Sequence, residues 1–152
     1  MGIPGAVIEM IEPLLPKAVV WAEEQYRFSC ERGSQLSPVE TQIARKVGVC
    51  DPEKIRMRLV TAMPQPDQPD LRRAAAVMNL LGPGTLGMAL GYAVFVRRGY
   101  RSEKLLAHEF RHVHQFEQAG SLTNYLANYF TELIHFGYAQ SPMEIDARNA
   151  EL

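Results

Sequence analysis

Two histidines four residues apart, with a glutamate between them, could do chemistry in this chain of 152 residues. They are His108 and His112, in the pattern His-Glu-x-x-His, and the glutamate is Glu109. Side chains four residues apart lie on the same face of an α-helix, so both imidazoles can reach one metal ion. Glu109 lies about 100° round the helix, where its carboxylate can take a proton from a water on that metal. The motif therefore predicts a zinc site that activates water for hydrolysis.

A catalytic zinc ion usually has three protein ligands and one water, so a third ligand is expected farther along the chain. Glu144 is the candidate, in a predicted helix that Ser141 begins. The same spacing also suits a capping box, in which Glu144 would bond the backbone of Ser141, as Glu40 would that of Ser37. The two interpretations compete for one carboxylate, and the local sequence leaves both open. Asp146 is the alternative ligand, or an acceptor that orients a ligand histidine.

The two motifs together resemble those of the gluzincin group of zinc metallopeptidases, particularly its compact minimal members. The matching segments are His-Glu-x-x-His at 108–112 and Glu-x-x-Ala at 144–147, within a similarity that spans roughly residues 84–150. The resemblance implies that zinc is bound by His108, His112 and Glu144, with Glu109 as the catalytic base. Many gluzincins follow Glu-x-x-Ala with an aspartate or asparagine that supports a ligand histidine. This chain has Arg148 there, so the resemblance supplies no such support.

The function expected from these residues is zinc-dependent hydrolysis of peptide bonds in a peptide or protein substrate. Tyr138, just before the predicted glutamate helix, is a candidate for stabilising the tetrahedral oxyanion. An alternative is a zinc-binding regulatory or interaction domain that keeps the site and cleaves nothing. A third interpretation is a helical interaction protein without a metal. The metal content separates the third interpretation from the others, and replacement of Glu109 separates the first two.

The motif must be carried by a helix at the edge of a hydrophobic core. Ser102 is a suitable N-cap, Gly120 a suitable residue to end the helix, and apolar residues form a stripe beside the histidines. A second helix follows, with its buried face predicted at positions 122, 125, 126, 129, 130 and 133. Tyr125 and Tyr129 are therefore interpreted as packing residues. His114 and His135 are not expected to bind the metal.

The remaining segments complete a predicted α+β fold, a predominantly helical zincin-like domain with a small antiparallel sheet beside the motif helix. Residues 84–99 are predicted as a hairpin or bent strand, in which Gly87 and Gly91 permit close approach of substrate or form bulges. Residues 55–60 are predicted as a half-exposed strand with its arginines in solvent. Expected helices cover residues 6–31, kinked by Pro13 and Pro16, Ser37 to about Val47, and 71–81, after a proline-rich connector.

Composition limits the classes of partner and compartment. The formal net charge of -1 gives no electrostatic reason to expect nucleic acid. The N-terminal apolar stretch contains acidic residues and prolines, so neither a signal peptide nor a membrane span is predicted. Cys30 and Cys50 make no disulfide framework and are interpreted as free thiols in the cytoplasm. Residues 1–152 are predicted to form one domain, with a helical part containing one strand at 1–83 and the hairpin and three site helices at 84–152.

Overall fold

The computed structural model describes residues 4–151, in which helices surround a small sheet. The helices are α1 (Gly5–Ile11), α2 (Leu15–Arg32), α3 (Pro38–Lys46), α4 (Pro69–Val77), α5 (Glu103–Ala119), α6 (Leu122–Phe136) and α7 (Pro142–Ala150). The strands are β1 (Arg56–Val60), β2 (Gly87–Leu90) and β3 (Ala93–Arg97). Single 3-10 turns occupy Glu12–Leu14 and Pro52–Lys54. The predicted predominantly helical α+β class is confirmed. No helix within residues 4–151 combines the length and apolar character needed to cross a membrane.

The sheet is mixed, whereas the sequence analysis predicted an antiparallel one. Its order is β1-β3-β2, with β2 antiparallel to β3 and β1 parallel to β3. The hairpin explains the antiparallel pair, because a short turn reverses the chain between its strands. β1 instead joins β3 from a distant part of the chain, across a connection that contains α4. A connection of that length permits a parallel pair, which a short turn cannot make.

Each face of the sheet packs against its own set of helices, because alternate side chains of a strand point to opposite faces. Val94 and Val96 of β3 belong to a core cluster with residues from α3 and α5. Ala93 and Phe95 belong to another, with residues from α2 and α6. β3 is consequently buried on both faces and between two strands. The site helix α5 is thus fixed against the sheet.

Helix α5 has the ends that the sequence predicts. The hydroxyl of Ser102 accepts a hydrogen bond from the backbone N–H of Leu105 at 3.1 Å, which caps the first turn. Gly120 ends the helix with φ of 86°, a left-handed conformation that glycine adopts without a steric penalty. Leu106, Phe110 and Val113 are buried in the core as the predicted stripe. This anchored face determines the direction in which the histidines point.

The helices before the β2–β3 hairpin differ from the predicted ones mainly at their ends. The predicted kinked helix is α1 and α2 joined by the 3-10 turn at Glu12–Leu14, which contains Pro13. α4 ends at Val77, short of the predicted Leu81. Asn79 and Leu81 have φ of 58° and 61°, which no α-helix can continue. The segment after α4 is therefore not helical, and its residues 78–81 line the cleft beside the motif.

Candidate metal centre

The two motif histidines point their Nε2 atoms at a single carboxylate. Their ring centroids are 5.0 Å apart, as the four-residue spacing on α5 predicts. Oε1 of Glu144 lies 3.1 Å from Nε2 of His108 and 3.3 Å from Nε2 of His112. The imidazole of His112 and the carboxylate of Glu144 are buried, whereas His108 keeps a small exposed edge. Among the residues that the structure describes, these three side chains form a group that could hold a metal ion, with their candidate ligand atoms all within 4.8 Å of one another.

Glu144 reaches the histidines because it does not form a capping box. Ser141 begins α7 but accepts no capping hydrogen bond through its side chain. Instead, its hydroxyl donates to Glu132 of α6 at 2.9 Å, and the same Glu132 oxygen accepts from the backbone N–H of Met143. Glu132 therefore occupies the start of the helix and leaves the Glu144 carboxylate free. The capping-box interpretation of Glu144 is wrong.

The predicted capping box at the start of α3 does exist. The hydroxyl of Ser37 accepts from the backbone N–H of Glu40, and the Glu40 carboxylate accepts from the backbone N–H of Ser37. The two Ser-Pro-x-Glu segments share a local sequence and differ in tertiary surroundings. Both helices pack against α5, but only at the start of α7 does Glu132 of α6 supply another partner for the serine.

A tyrosine of α6 holds the second oxygen of Glu144. The hydroxyl of Tyr129 donates a hydrogen bond of 2.6 Å to Oε2. Oε1 faces both imidazoles, while Oε2, which holds this hydrogen bond, also lies 3.3 Å from Nε2 of His112. The apolar stripe of α6 predicts a packing role for Tyr129. It does pack against a core cluster, but its hydroxyl also orients the proposed third ligand.

The other ring nitrogen of each histidine has its own acceptor. Nδ1 of His108 lies 2.7 Å from Oε2 of Glu151, and Nδ1 of His112 lies 2.7 Å from Oε1 of Gln115. Both acceptors favour a proton on Nδ1, which leaves Nε2 of a neutral imidazole for a metal. The carboxylate and the amide thus select the tautomer that metal binding at Nε2 requires.

Asp146 is outside the group of ligand atoms, so the alternative in which it is the third ligand is not supported. Its Oδ2 accepts from Nε2 of Gln115 at 2.9 Å and from Nε of Arg111 at 2.8 Å. Gln115 also donates to the backbone carbonyl of Met143 at 3.0 Å. Asp146 therefore orients His112 indirectly, through the amide of Gln115. This arrangement stands in place of the supporting residue that Arg148 does not provide.

Glu109 lies beside the metal group and contacts strand β2. Its side chain is only 4% exposed, and a Cβ on Gly87 would lie 2.9 Å from its Cγ and Oε2. Glycine at position 87 is therefore what allows the strand and this carboxylate to approach so closely. Burial raises the pKa of Glu109, although the neighbouring His112 and His108 oppose the shift. A raised pKa makes this carboxylate a better proton acceptor.

The side chains of this group have shifted pKa values when no metal is bound. Burial alone lowers the pKa of His108, but hydrogen bonding to Glu144 and the charge of Glu109 outweigh it and raise the pKa to about 9. His112 shifts in the same direction, for the same kinds of reason. Burial favours the protonated form of Glu144, yet its hydrogen bonds to the two histidines bring its pKa well below the ordinary value. Without metal, protons thus bind where a cation would bind.

The metal group opens on an apolar cleft with a volume of about 140 Å³. Its lining includes Leu14, Trp21, Met78 and Leu81 in addition to His108, Glu109 and Tyr138. Tyr138 is 40% exposed, and burial, followed by the charge of Glu144, raises the pKa of its hydroxyl. Its hydroxyl therefore remains protonated and can donate a hydrogen bond at neutral pH.

Strand β2 presents its free edge to this cleft. The backbone N–H of Arg97 donates to the carbonyl of Leu86, and the antiparallel register then pairs Met88 with Phe95. Leu86 and Met88 therefore direct their backbone N–H and C=O groups toward β3. Gly87 and Ala89 alternate with them, so their backbone groups point away from the sheet. Both residues line the cleft. The hydrophobic walls and an edge strand therefore meet at Glu109.

The donor set fits zinc. Two imidazole nitrogens and a carboxylate oxygen are common ligands of catalytic zinc, which keeps a fourth position open. Bonds of about 2.0–2.1 Å in a tetrahedral shell place neighbouring ligands roughly 3.3–3.4 Å apart. The separations of 3.1 and 3.3 Å between Glu144 and the histidines are close to that spacing.

Comparison with protein-family models, with curated proteins and with solved structures found no match for this chain.

The structure brings together most of the predicted site residues and adds three. His108, His112, Glu109, Glu144 and Tyr138 all border one cleft. His135 is exposed, and His114 lies 3.0 Å from the carbonyl of Gly48, so neither joins the group. Sequence reasoning missed Gln115, Tyr129 and Glu151. A signal existed for Gln115, which follows His112 by three residues on the same helix face.

Proposed function

We propose that this protein is a zinc-dependent metallopeptidase. The observation that carries the proposal is the convergence of Nε2 of His108, Nε2 of His112 and Oε1 of Glu144, with the Glu109 carboxylate beside them on a cleft. This set would supply three ligands and a separate base, which supports zinc hydrolysis. The resemblance of the two motifs to those of gluzincins is part of the same proposal.

His108, His112 and Glu144 would hold the ion, while Glu151, Gln115 and Tyr129 keep their side chains in position. Bound zinc would polarise the scissile carbonyl and lower the pKa of a water to about 7. This set of orienting hydrogen bonds limits the motion of each ligand before the metal binds. Such partners typically contribute about 10-fold to 100-fold in metal affinity.

Glu109 would act as the base that accepts a proton from the attacking water. The water oxygen forms a bond to the scissile carbonyl carbon, and the bond from that carbon to the amide nitrogen then breaks. Glu109 passes its proton to the departing nitrogen, which leaves as an amine. The buried position and raised pKa of this glutamate suit both transfers. Tyr138 would donate a hydrogen bond to the carbonyl oxygen as negative charge develops.

The substrate would bind as an extended peptide along the free edge of β2. Gly87 and Ala89 offer the backbone donors and acceptors that a strand of substrate needs. The apolar walls of the cleft favour substrates with large apolar side chains near the scissile bond. Cys30 and Cys50 are free thiols, which supports a cytoplasmic setting for this activity.

Zinc analysis combined with Glu109→Gln tests the proposal. We expect about one zinc per chain in wild type and in Glu109→Gln, with peptidase activity in the variant reduced at least about 100-fold. Glu103→Gln, an exposed change in the first turn of the same helix, is the matched control and should keep its activity. Full activity in metal-loaded Glu109→Gln contradicts the proposed mechanism. Bound zinc without cleavage of a diverse peptide library supports the non-catalytic alternative instead.

A further inference from the structure

Strand β1 borders a groove on the side of the sheet opposite to β2, the strand at the candidate metal centre. We propose that this groove binds an acidic peptide segment in extended conformation. Its lining includes Arg32, Arg58, Leu59, Arg98 and Arg101, with Glu40 as the acidic member. The inference does not depend on zinc or on peptidase activity, because the groove shares no lining residue with the metal cleft.

The arginines of the groove are largely free to bind an external anion. Within residues 4–151, no ion pair joins Arg32, Arg58 or Arg98 to a carboxylate. Arg101 is paired with Glu40, whose carboxylate also accepts from the backbone of Ser37. The groove therefore keeps an excess of positive charge, although the whole chain has a formal charge of -1. Such a local excess attracts carboxylates.

An aromatic ring holds two of these guanidinium groups in place. The guanidinium carbon of Arg32 lies 4.7 Å from the ring centroid of Phe28, and that of Arg58 lies 5.0 Å from it. Phe28 is 44% exposed, so the ring is not merely a core residue. Cation–π contacts limit the motion of both arginines, which lowers the entropy cost of binding a carboxylate. Arg58, interpreted from the sequence as a solvated residue, is thus held at the edge of the groove.

The backbone of Leu59 offers a bonding pattern that a peptide can complete. Arg56 donates its N–H to the carbonyl of Tyr92, and Arg98 donates to the carbonyl of Val60. In this parallel register the even-numbered residues of β1 bond to β3, whereas Met57 and Leu59 face the other side. Met57 pairs there with Ser34 through two backbone hydrogen bonds. Leu59, which is 40% exposed, remains with an outward donor and acceptor for an added chain.

These features favour a peptide over a nucleic acid. Phosphates would satisfy the arginines, but they cannot supply the paired donor and acceptor that Leu59 requires. The Leu59 side chain also places an apolar surface within the groove, which suits an apolar residue between two acidic ones. Alternating acidic and apolar side chains in an extended segment would match both the arginines and Leu59.

Binding of a fluorescein-labelled hexapeptide that alternates glutamate with valine tests the inference by fluorescence anisotropy. We expect saturable binding that weakens with added salt and falls about tenfold in Arg32→Ala/Arg98→Ala, because each exposed ion pair contributes a few-fold. Both arginines are exposed, so the variant should fold, which circular dichroism would verify. Arg45→Ala/Arg73→Ala removes the same charge at exposed positions outside the groove and should bind like wild type.

Two further probes distinguish the peptide from other anions. N-methylation of the central residues removes peptide N–H donors and should weaken binding. Binding that depended on charge alone would keep the same affinity. A single-stranded oligonucleotide of equal charge should bind more weakly than the peptide. The proposal is overturned if the oligonucleotide binds more tightly, if both double variants bind alike, or if the peptide does not bind at about 1 mM. Metal-free protein serves in every assay, so failure of the zinc proposal leaves this test intact.

Discussion

Gly87 and Glu109 approach so closely that even a methyl group at position 87 would overlap the glutamate side chain. The separation from an added Cβ to Oε2 would be 2.9 Å. The edge strand therefore limits the position of the proposed base, in addition to offering a backbone for substrate. A carboxylate confined in this way is already oriented when substrate arrives.

Gly87→Ala should consequently lower peptidase activity about tenfold or more while zinc binding remains close to wild type. The added methyl group should displace Glu109, which is not among the proposed ligands, and leave the three proposed ligands in place. Gly84→Ala is a matched control, since a Cβ there meets nothing within 4 Å. Activity assays and zinc analysis on both variants check the prediction. An equal loss of activity in the two variants would mean that the contact with Glu109 is unimportant.

Tyr129→Phe should weaken zinc binding about tenfold without unfolding the protein. The change removes the hydrogen bond of 2.6 Å to Oε2 of Glu144 and keeps the aromatic ring in its packing position. The carboxylate then rotates more freely and presents Oε1 to the metal less often. Competition with a zinc indicator measures the affinity. Tyr100→Phe, at an exposed position, is the control, and an unchanged affinity in Tyr129→Phe would remove the proposed orienting role.

Gln115→Ala should reduce zinc affinity by about 10-fold to 100-fold, because His112 loses the acceptor for its Nδ1 proton. Gln115→Glu should retain more affinity than Gln115→Ala, since a carboxylate can accept the same proton. Its negative charge would lie beside Asp146, so we do not expect full recovery. Gln118→Ala, exposed on the same helix, provides the comparison. Equal zinc affinities in Gln115→Ala and Gln118→Ala would contradict the prediction.

The metal-free protein should lose stability as the pH rises from about 6.5 to about 9. The pKa of His108 is raised from 6.5 to about 9, so its stabilising contribution is fully present below 6.5 and is lost as pH rises through 9. The raised pKa values of His112 and Glu109 act in the same direction. We expect a decrease of about 2 kcal/mol in the free energy of unfolding, measured by urea denaturation with chelator present.

Zinc should reverse this trend, because metal binding displaces the protons of the histidines and becomes more favourable as pH rises. At low pH the stability depends instead on Glu144, whose pKa is lowered. The lowered pKa of Glu144 gives a contribution that is present above about 4.5 and is lost as pH falls. An increase in metal-free stability between pH 6.5 and pH 9 would contradict the charge assignments of the site.

Local sequence patterns predicted the elements that depend on neighbours along the chain. Ser102 and Gly120 define the ends of α5 by capping, and the spacing of His108 and His112 determines their shared face. Such features involve residues within about four positions of each other. Such features can therefore be predicted from the local sequence alone.

Features that depend on distant partners were not predictable in the same way. Glu144 and Glu40 occur in the same local pattern, Ser-Pro-x-Glu. Glu144 does not cap its own helix, because Glu132 of another helix accepts the hydrogen bonds at the start of α7. The role of Tyr129 depends on α6 passing beside α7, while its position in the apolar stripe indicates packing alone. The parallel pairing of β1 with β3 likewise depends on a connection whose path the sequence does not reveal.

The sheet order β1-β3-β2 also favours one order of assembly for this fold. β2 and β3 are joined by a short turn, so the hairpin can close early with little loss of chain entropy. β1 reaches β3 only after a long loop closes, because Arg56 pairs with Ala93. Since α5 follows the hairpin directly, the histidine helix can dock on two strands before the third arrives. On this order β1, the strand that borders the proposed peptide groove, joins last, and its docking completes the burial of β3.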